Sequence, residues 1–153
     1  MTYMTTIQYQ DVTGRNVSYD LVLRLSIDQL LDFDPSFWDE LQNISSAKGL
    51  KDGLRKFVST CIGFPEEASG FTGFRPMTEN EKKFFFNSDG WDMLFLEITT
   101  GEDSVTRFMR SVMPNRNILE KAFPNDEEHH KAIDAVYGAK IPVSTENINP
   151  FQK

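Results

Sequence analysis

The sequence predicts an α+β fold in which an N-terminal antiparallel β-hairpin packs on a mostly α-helical bundle. Three observations carry this prediction. Apolar residues alternate with polar ones through the opening stretch, the period changes abruptly at Ser26, and the remainder shows apolar stripes at helical spacing. The length of 153 residues suits one domain with one sizeable core. The expected organisation is a single domain over residues 1–138, with the hairpin at 5–25 and the helical part at 26–138. A flexible tail is expected at 139–153.

The hairpin is read from "TIQYQDVTGRNVSYDLVLRL", where Ile7, Tyr9, Val17, Tyr19, Leu21, Leu23 and Leu25 all occupy odd positions. Gln8, Gln10, Ser18, Asp20 and Arg24 lie between them, so each strand has one apolar and one wet face. "DVTGRN" supplies the turn, with Gly14 the natural residue for a positive φ. "SIDQ" is then a capping box with Leu25 and Leu30 at the staple positions, which ends the strand and starts a helix. An isolated hairpin is only marginally stable, so its apolar face is expected to pack on the helices that follow.

Those helices are punctuated by their caps. Asp34 is an N-cap with Pro35 at the first helical position, opening "DPSFWDELQNI". Leu50, Leu54, Phe57, Val58, Cys61 and Ile62 form an apolar stripe that Gly63 ends. From Phe64 to Pro76 glycine, proline and small residues predict a long loop. Thr78 and Glu81 make a second capping box before "TENEKKFFF". Trp91, Leu94, Phe95 and Ile98 repeat at helical spacing up to Gly101, and Val105, Phe108, Met109 and Val112 do so up to Pro114. Leu54, Phe57, Trp91, Phe95 and Phe108 are expected to share one core. Asn115–Phe123 and Asp126–Tyr137 are either two short helices or one helix broken at Pro124.

Composition excludes several classes of function. A net charge of −7 and a pI near 4.8 argue against general binding to nucleic acid or to anionic membranes, which need basic surface. The N-terminal "MTYMTTIQYQ" lacks the basic flank and apolar centre of a signal peptide. No apolar run is long enough to span a bilayer, and a single cysteine excludes an intrachain disulfide, so a cytoplasmic location is expected. Thirteen Phe imply an aromatic core or aromatic surface awaiting a partner.

Chemistry-bearing residues are sparse. Asp126, His130 and Asp134 in and after "NDEEHH" share a helix face, but the chain has only two His, and structural zinc wants about four strong ligands. The acidic run also reads as a first turn that complements the helix dipole. Cys61 lies on an apolar stripe without an activating neighbour and reads as a core residue. Glu66 and Glu67 are paired carboxylates without framing residues, and "GFTGFRP" lacks the Lys and Ser/Thr of a phosphate-cradling loop. Catalytic, cofactor and metal sites are therefore not expected. Lys48, Lys51, Arg55 and Lys56 form one basic face, read as a solvated surface or a dock for an acidic partner or another copy. Phe84, Phe85 and Phe86, with Lys48, Lys51 and Arg55, are the candidate partner-binding residues.

The order "TIQYQDVTGRNVSYDLVLRLSIDQLLDFD", followed by "LRKFVSTCIG", "FRPMTENEKKFFFNSDGWDMLFLEI" and "SVTRFMRSVMP", resembles tail assembly chaperones of long-tailed phages of Gram-positive hosts. The resemblance spans about Thr5 to Pro114 and rests on pattern and order. It implies a non-enzymatic role in the host cytoplasm, in which the protein coats the tape measure protein and recruits tail tube subunits. The family often also has a frameshifted longer form. The chain departs from the pattern in the insert around Phe64–Phe74 and in the extension after Pro114, which is either a tube-binding region or an unrelated addition. The hairpin, in turn, either acts as a pairing edge or lid through which copies assemble along the tape measure, or only completes the monomer core. Two rival readings stand beside this one: a structural virion component of the tail or baseplate, and a small metal-binding enzyme built on Asp126, His130 and Asp134.

Overall fold

The computed structural model describes residues 2–122 apart from residue 69. Strand β1 (Tyr3–Gln10) and strand β2 (Asn16–Leu23) form the expected antiparallel hairpin, with Tyr3 opposite Leu23 and Gln10 opposite Asn16. The alternation does what its period requires: Ile7, Leu21 and Leu23 are buried, while Gln8, Gln10, Ser18 and Asp20 are exposed. The Asp11 carboxylate organises the turn by accepting from the Thr13 amide at 2.8 Å, the Thr13 hydroxyl at 2.6 Å and the Arg15 amide at 3.0 Å. Gly14 takes a φ of 84°, the left-handed conformation expected of it.

Three helices follow. Helix α1 (Ile27–Leu31) carries the Ser26 capping box, with the Gln29 amide donating to Ser26 Oγ and the Ser26 amide donating to Gln29 Oε1. Gln29 Nε2 also donates to the Thr60 carbonyl at 3.0 Å, which ties this cap to the far end of helix α3 (Ala47–Cys61). Asp34 caps helix α2 (Pro35–Gln42) by accepting from the Ser36 amide. The stripe Leu50, Leu54, Phe57, Val58 and Cys61 is the buried face of α3.

The stretch expected to be a long loop is instead a second hairpin. Strand β3 (Ile62–Ala68) starts directly where α3 ends and pairs with β4 (Phe71–Pro76), making one four-stranded antiparallel sheet in the order β1-β2-β3-β4. Glycine and proline hide these strands from a composition reading because each has a position where it does no harm. The Met77 amide donates to the Ile62 carbonyl, so even-numbered β3 residues bond to β4, and Pro65 turns its missing donor the other way. On that side β2 pairs β3 only at Val22–Gly63 and Leu23–Ile62, so no bond is lost. Pro76 likewise faces the outer edge. Gly63 is not a helix stop but a point of close approach, since a Cβ there would sit 2.3 Å from the Arg75 carbonyl and 2.5 Å from the Phe74 ring.

Helices α4 (Glu79–Phe86), α5 (Asp89–Thr99), α6 (Ser104–Val112) and α7 (Arg116–Ala122) complete the described chain. Helix α5 runs antiparallel along β1 on the apolar face: Gly90 lies against the Tyr9 ring, and Glu97 accepts from the Tyr3 and Thr5 hydroxyls at 2.6 and 2.8 Å. The hairpin is thus roofed by helices, as its marginal stability requires. Leu54, Phe57, Trp91, Phe95 and Phe108 belong to one buried cluster, as expected, with edge-on contact between the Phe57 and Phe108 rings at 6.1 Å. No helix among the described residues is long and apolar enough to cross a membrane. The candidate ligands Asp126, His130 and Asp134, the second C-terminal helix and the tail at 139–153 lie outside the described residues.

Adding one methyl group separates the two kinds of glycine in the second hairpin. Gly63→Ala is expected to cost about 1–3 kcal/mol in urea unfolding, because the new Cβ meets backbone that cannot move independently. Gly73→Ala, where a Cβ would stand 3.4 Å from the Glu66 carbonyl, is the control and is expected to change stability by less than about 1 kcal/mol. Equal losses in the two variants would contradict the packing assigned to Gly63.

Candidate partner-binding site

The three phenylalanines of α4 are successive, and successive helical positions are separated by about 100°. They therefore cannot share one environment. Phe85 and Phe86 are 1% and 6% exposed, whereas Phe84 is 75% exposed. Phe85 meets Tyr19 edge-on at 6.0 Å and Phe86 meets Trp91 at 5.2 Å. The expectation of three partner-facing phenylalanines is corrected accordingly: Phe85 and Phe86 hold α4 to the domain, and Phe84 alone is offered to solvent.

Phe84 stands on the rim of an open cleft of about 830 Å³ between α4 and the tip of the β1–β2 hairpin. Tyr9, Val12, Val17 and Tyr19 supply its apolar wall, with Asp11, Lys83 and Asp89 around the edge. Tyr9 and Tyr19 are stacked at 6.2 Å, and Val12 is fully exposed at the turn that Asp11 organises. The hairpin half of this cleft was not anticipated from the sequence. The available clue was Val12, an apolar residue inside a polar turn sequence that has no buried face to join.

The α4 wall is fixed by a charged clamp. Arg75 on β4 donates to both Glu81 oxygens, at 2.9 and 3.1 Å, while Glu81 also accepts from the Thr78 amide at 3.0 Å to close the expected capping box. The Arg75 guanidinium lies 4.8 Å from the centre of the Phe64 ring, so one side chain links β3, β4 and α4. The Arg75 hydrogen bonds, followed by the Thr78 amide, hold the Glu81 carboxyl down at about 2, from an ordinary value of 4.5.

The basic face is largely committed to covering aromatic rings. Lys51 forms an ion pair with Asp92 and lies 5.4 Å from the centre of the Phe95 ring. Arg55 lies over Phe86 at 5.3 Å and Lys56 over Phe37 at 5.7 Å. Lys48 is exposed in the first turn of α3. A shallow groove of about 220 Å³ lined by Lys51, Arg55 and Trp91 adjoins the Phe84 cleft across residues Asn87, Ser88 and Asp89, so the two candidate surfaces are neighbours rather than one site.

Other chemistry is quiet among the described residues. Cys61 is fully buried and desolvation pushes its thiol up, which suits an inert core residue. No group of three or more potential metal ligands is found among the described residues. No protein-family model, curated protein or solved structure matches this chain.

Because the carboxyl of Glu81 is depressed in the folded state, the stability it contributes is present above about 4.5 and is lost as pH falls towards about 2. Glu81→Gln removes this dependence. The variant is expected to be less stable than the parent at pH 7 and to converge on it as the pH approaches 2, in thermal melts recorded across that range. A constant difference at every pH would show that the charge of Glu81 does not act in the clamp.

Proposed function

We propose that this protein is a non-enzymatic phage tail assembly chaperone that binds apolar helical segments of the tape measure protein in the host cytoplasm. Recruitment of tail tube subunits belongs to the same reading. The observation that carries it is Phe84, a large aromatic side chain held out at the rim of an apolar-walled cleft. An amphipathic helix buries its apolar stripe in a groove of this kind, with an aromatic side chain as an anchor. The acidic exterior, with a net charge of −7, keeps a carrier of apolar cargo soluble. The sequence resemblance over about Thr5 to Pro114 supplies the identity of that cargo.

Co-expression tests the reading. The tape measure protein alone should aggregate, and this chain should keep it soluble in an isolable complex whose affinity varies little with salt, because apolar burial is not screened. Phe84→Asp should abolish rescue while leaving the fold and its melting temperature near the parent's, since position 84 is exposed and the new charge would face an apolar partner. Phe85→Asp is the contrasting variant, and it should unfold the protein. If the parent chain forms no complex and is found instead in purified particles, the structural virion reading replaces this one.

A further inference from the structure

The two edges of the sheet are built differently. On β4 the edge is six residues long and includes Gly73, Arg75 and Pro76, features that discourage further pairing. On β1 it is eight residues long, "YMTTIQYQ", with no charge, proline or glycine anywhere. The Asp11 amide donates to the Arg15 carbonyl, and counting back from that bonded pair, odd-numbered β1 residues bond to β2. The main-chain groups of Met4, Thr6, Gln8 and Gln10 therefore point outward, and no strand among the described residues pairs with them. Residues Asn16–Asp20 of β2 are also unpaired on their inner side, but that side faces the second hairpin and carries Asp20.

We propose that the outer edge of β1 is a strand-addition site for an extended, basic segment of another protein. Outward-facing main-chain donors and acceptors at two-residue intervals, without a strand partner among the described residues, match the hydrogen-bonding pattern of an extended backbone. Charge selects the kind of strand. The Glu97 carboxylate accepts from Thr5 Oγ1 at 2.8 Å and so lies beside the strand, where a side chain opposite Thr5 on an added strand would meet it. A Lys or Arg at that position gains an ion pair. A second copy of this chain would bring its own Glu97, a net charge of −7 and a second α5 to the same seam. Of the four edge residues only Gln10 also lines the Phe84 cleft, and the proposal does not depend on that cleft.

The probe is a capped eight-residue peptide alternating Val and Thr with one central Lys, titrated into the isotopically labelled chain and followed by amide NMR shifts. The expected result is perturbation centred on Met4, Thr6, Gln8 and Gln10, with the peptide binding about three-fold tighter than its Gln counterpart and more weakly still when Glu replaces Lys. Glu97→Gln should erase that preference without abolishing binding. N-methylation of alternate peptide amides should abolish binding, which tests strand pairing without altering the protein. Absence of shifts at millimolar peptide, or shifts centred on Val12 and Phe84, would overturn the proposal. So would self-association of the free chain through the same four amides, in favour of a second copy.

Discussion

The sheet is joined at its centre by two residue pairs, Val22–Gly63 and Leu23–Ile62, and the remaining architecture depends on that short seam. Gly63 makes it possible: only a residue without a Cβ lets the Arg75 carbonyl and the Phe74 ring come so near β3. The Arg24 amide extends the seam by donating to the Cys61 carbonyl at 3.0 Å, so the end of α3 is stitched to the end of β2. Four elements meet here in a few residues. Beyond the seam the two hairpins have no ladder between them, and the Tyr19 and Phe64 rings, 6.1 Å apart, bridge the space instead.

That arrangement explains how the candidate site arises. The first hairpin projects past the seam, roofed along β1 by α5, with its turn left in solvent beside α4. Helix α4 is held by Phe85 and Phe86 from within and by the Arg75–Glu81 clamp from outside. Both walls of the cleft are therefore fixed, and Phe84 has no partner ring among the described aromatic contacts to draw it inward. Phe84 is not a lone exposed residue but continues the apolar wall of Tyr9, Val12, Val17 and Tyr19, and a contiguous exposed apolar patch of this kind is what supports the proposed binding role.

Much of this was legible in the sequence because the informative residues act locally. The period-two run, the Ser26 and Thr78 capping boxes, the Asp34 cap and the positive φ of Gly14 each depend on neighbours within about four residues, and each is found as expected. The stripes of α3, α5 and α6 likewise identify the buried core. What failed was the second hairpin, whose Gly63, Pro65 and Pro76 are breakers in local terms and become acceptable only through the register of their strand partners. The triple phenylalanine failed in part for a different reason. Helical geometry says that the three must diverge, but which one faces outward is decided by where Tyr19 and Trp91 lie, and those come from distant elements.

Site-specific photo-crosslinking in a co-expressed complex would locate the surface that holds the apolar helix. A photoreactive residue placed at position 84 should crosslink efficiently to the tape measure protein, with the attachment mapped to an apolar helical segment. The same residue at position 93, where Met93 is also exposed but lies on α5 outside the cleft, should give little product. Equal crosslinking from both positions, or product only from position 93, would contradict the assignment of the hairpin–α4 cleft as the binding site.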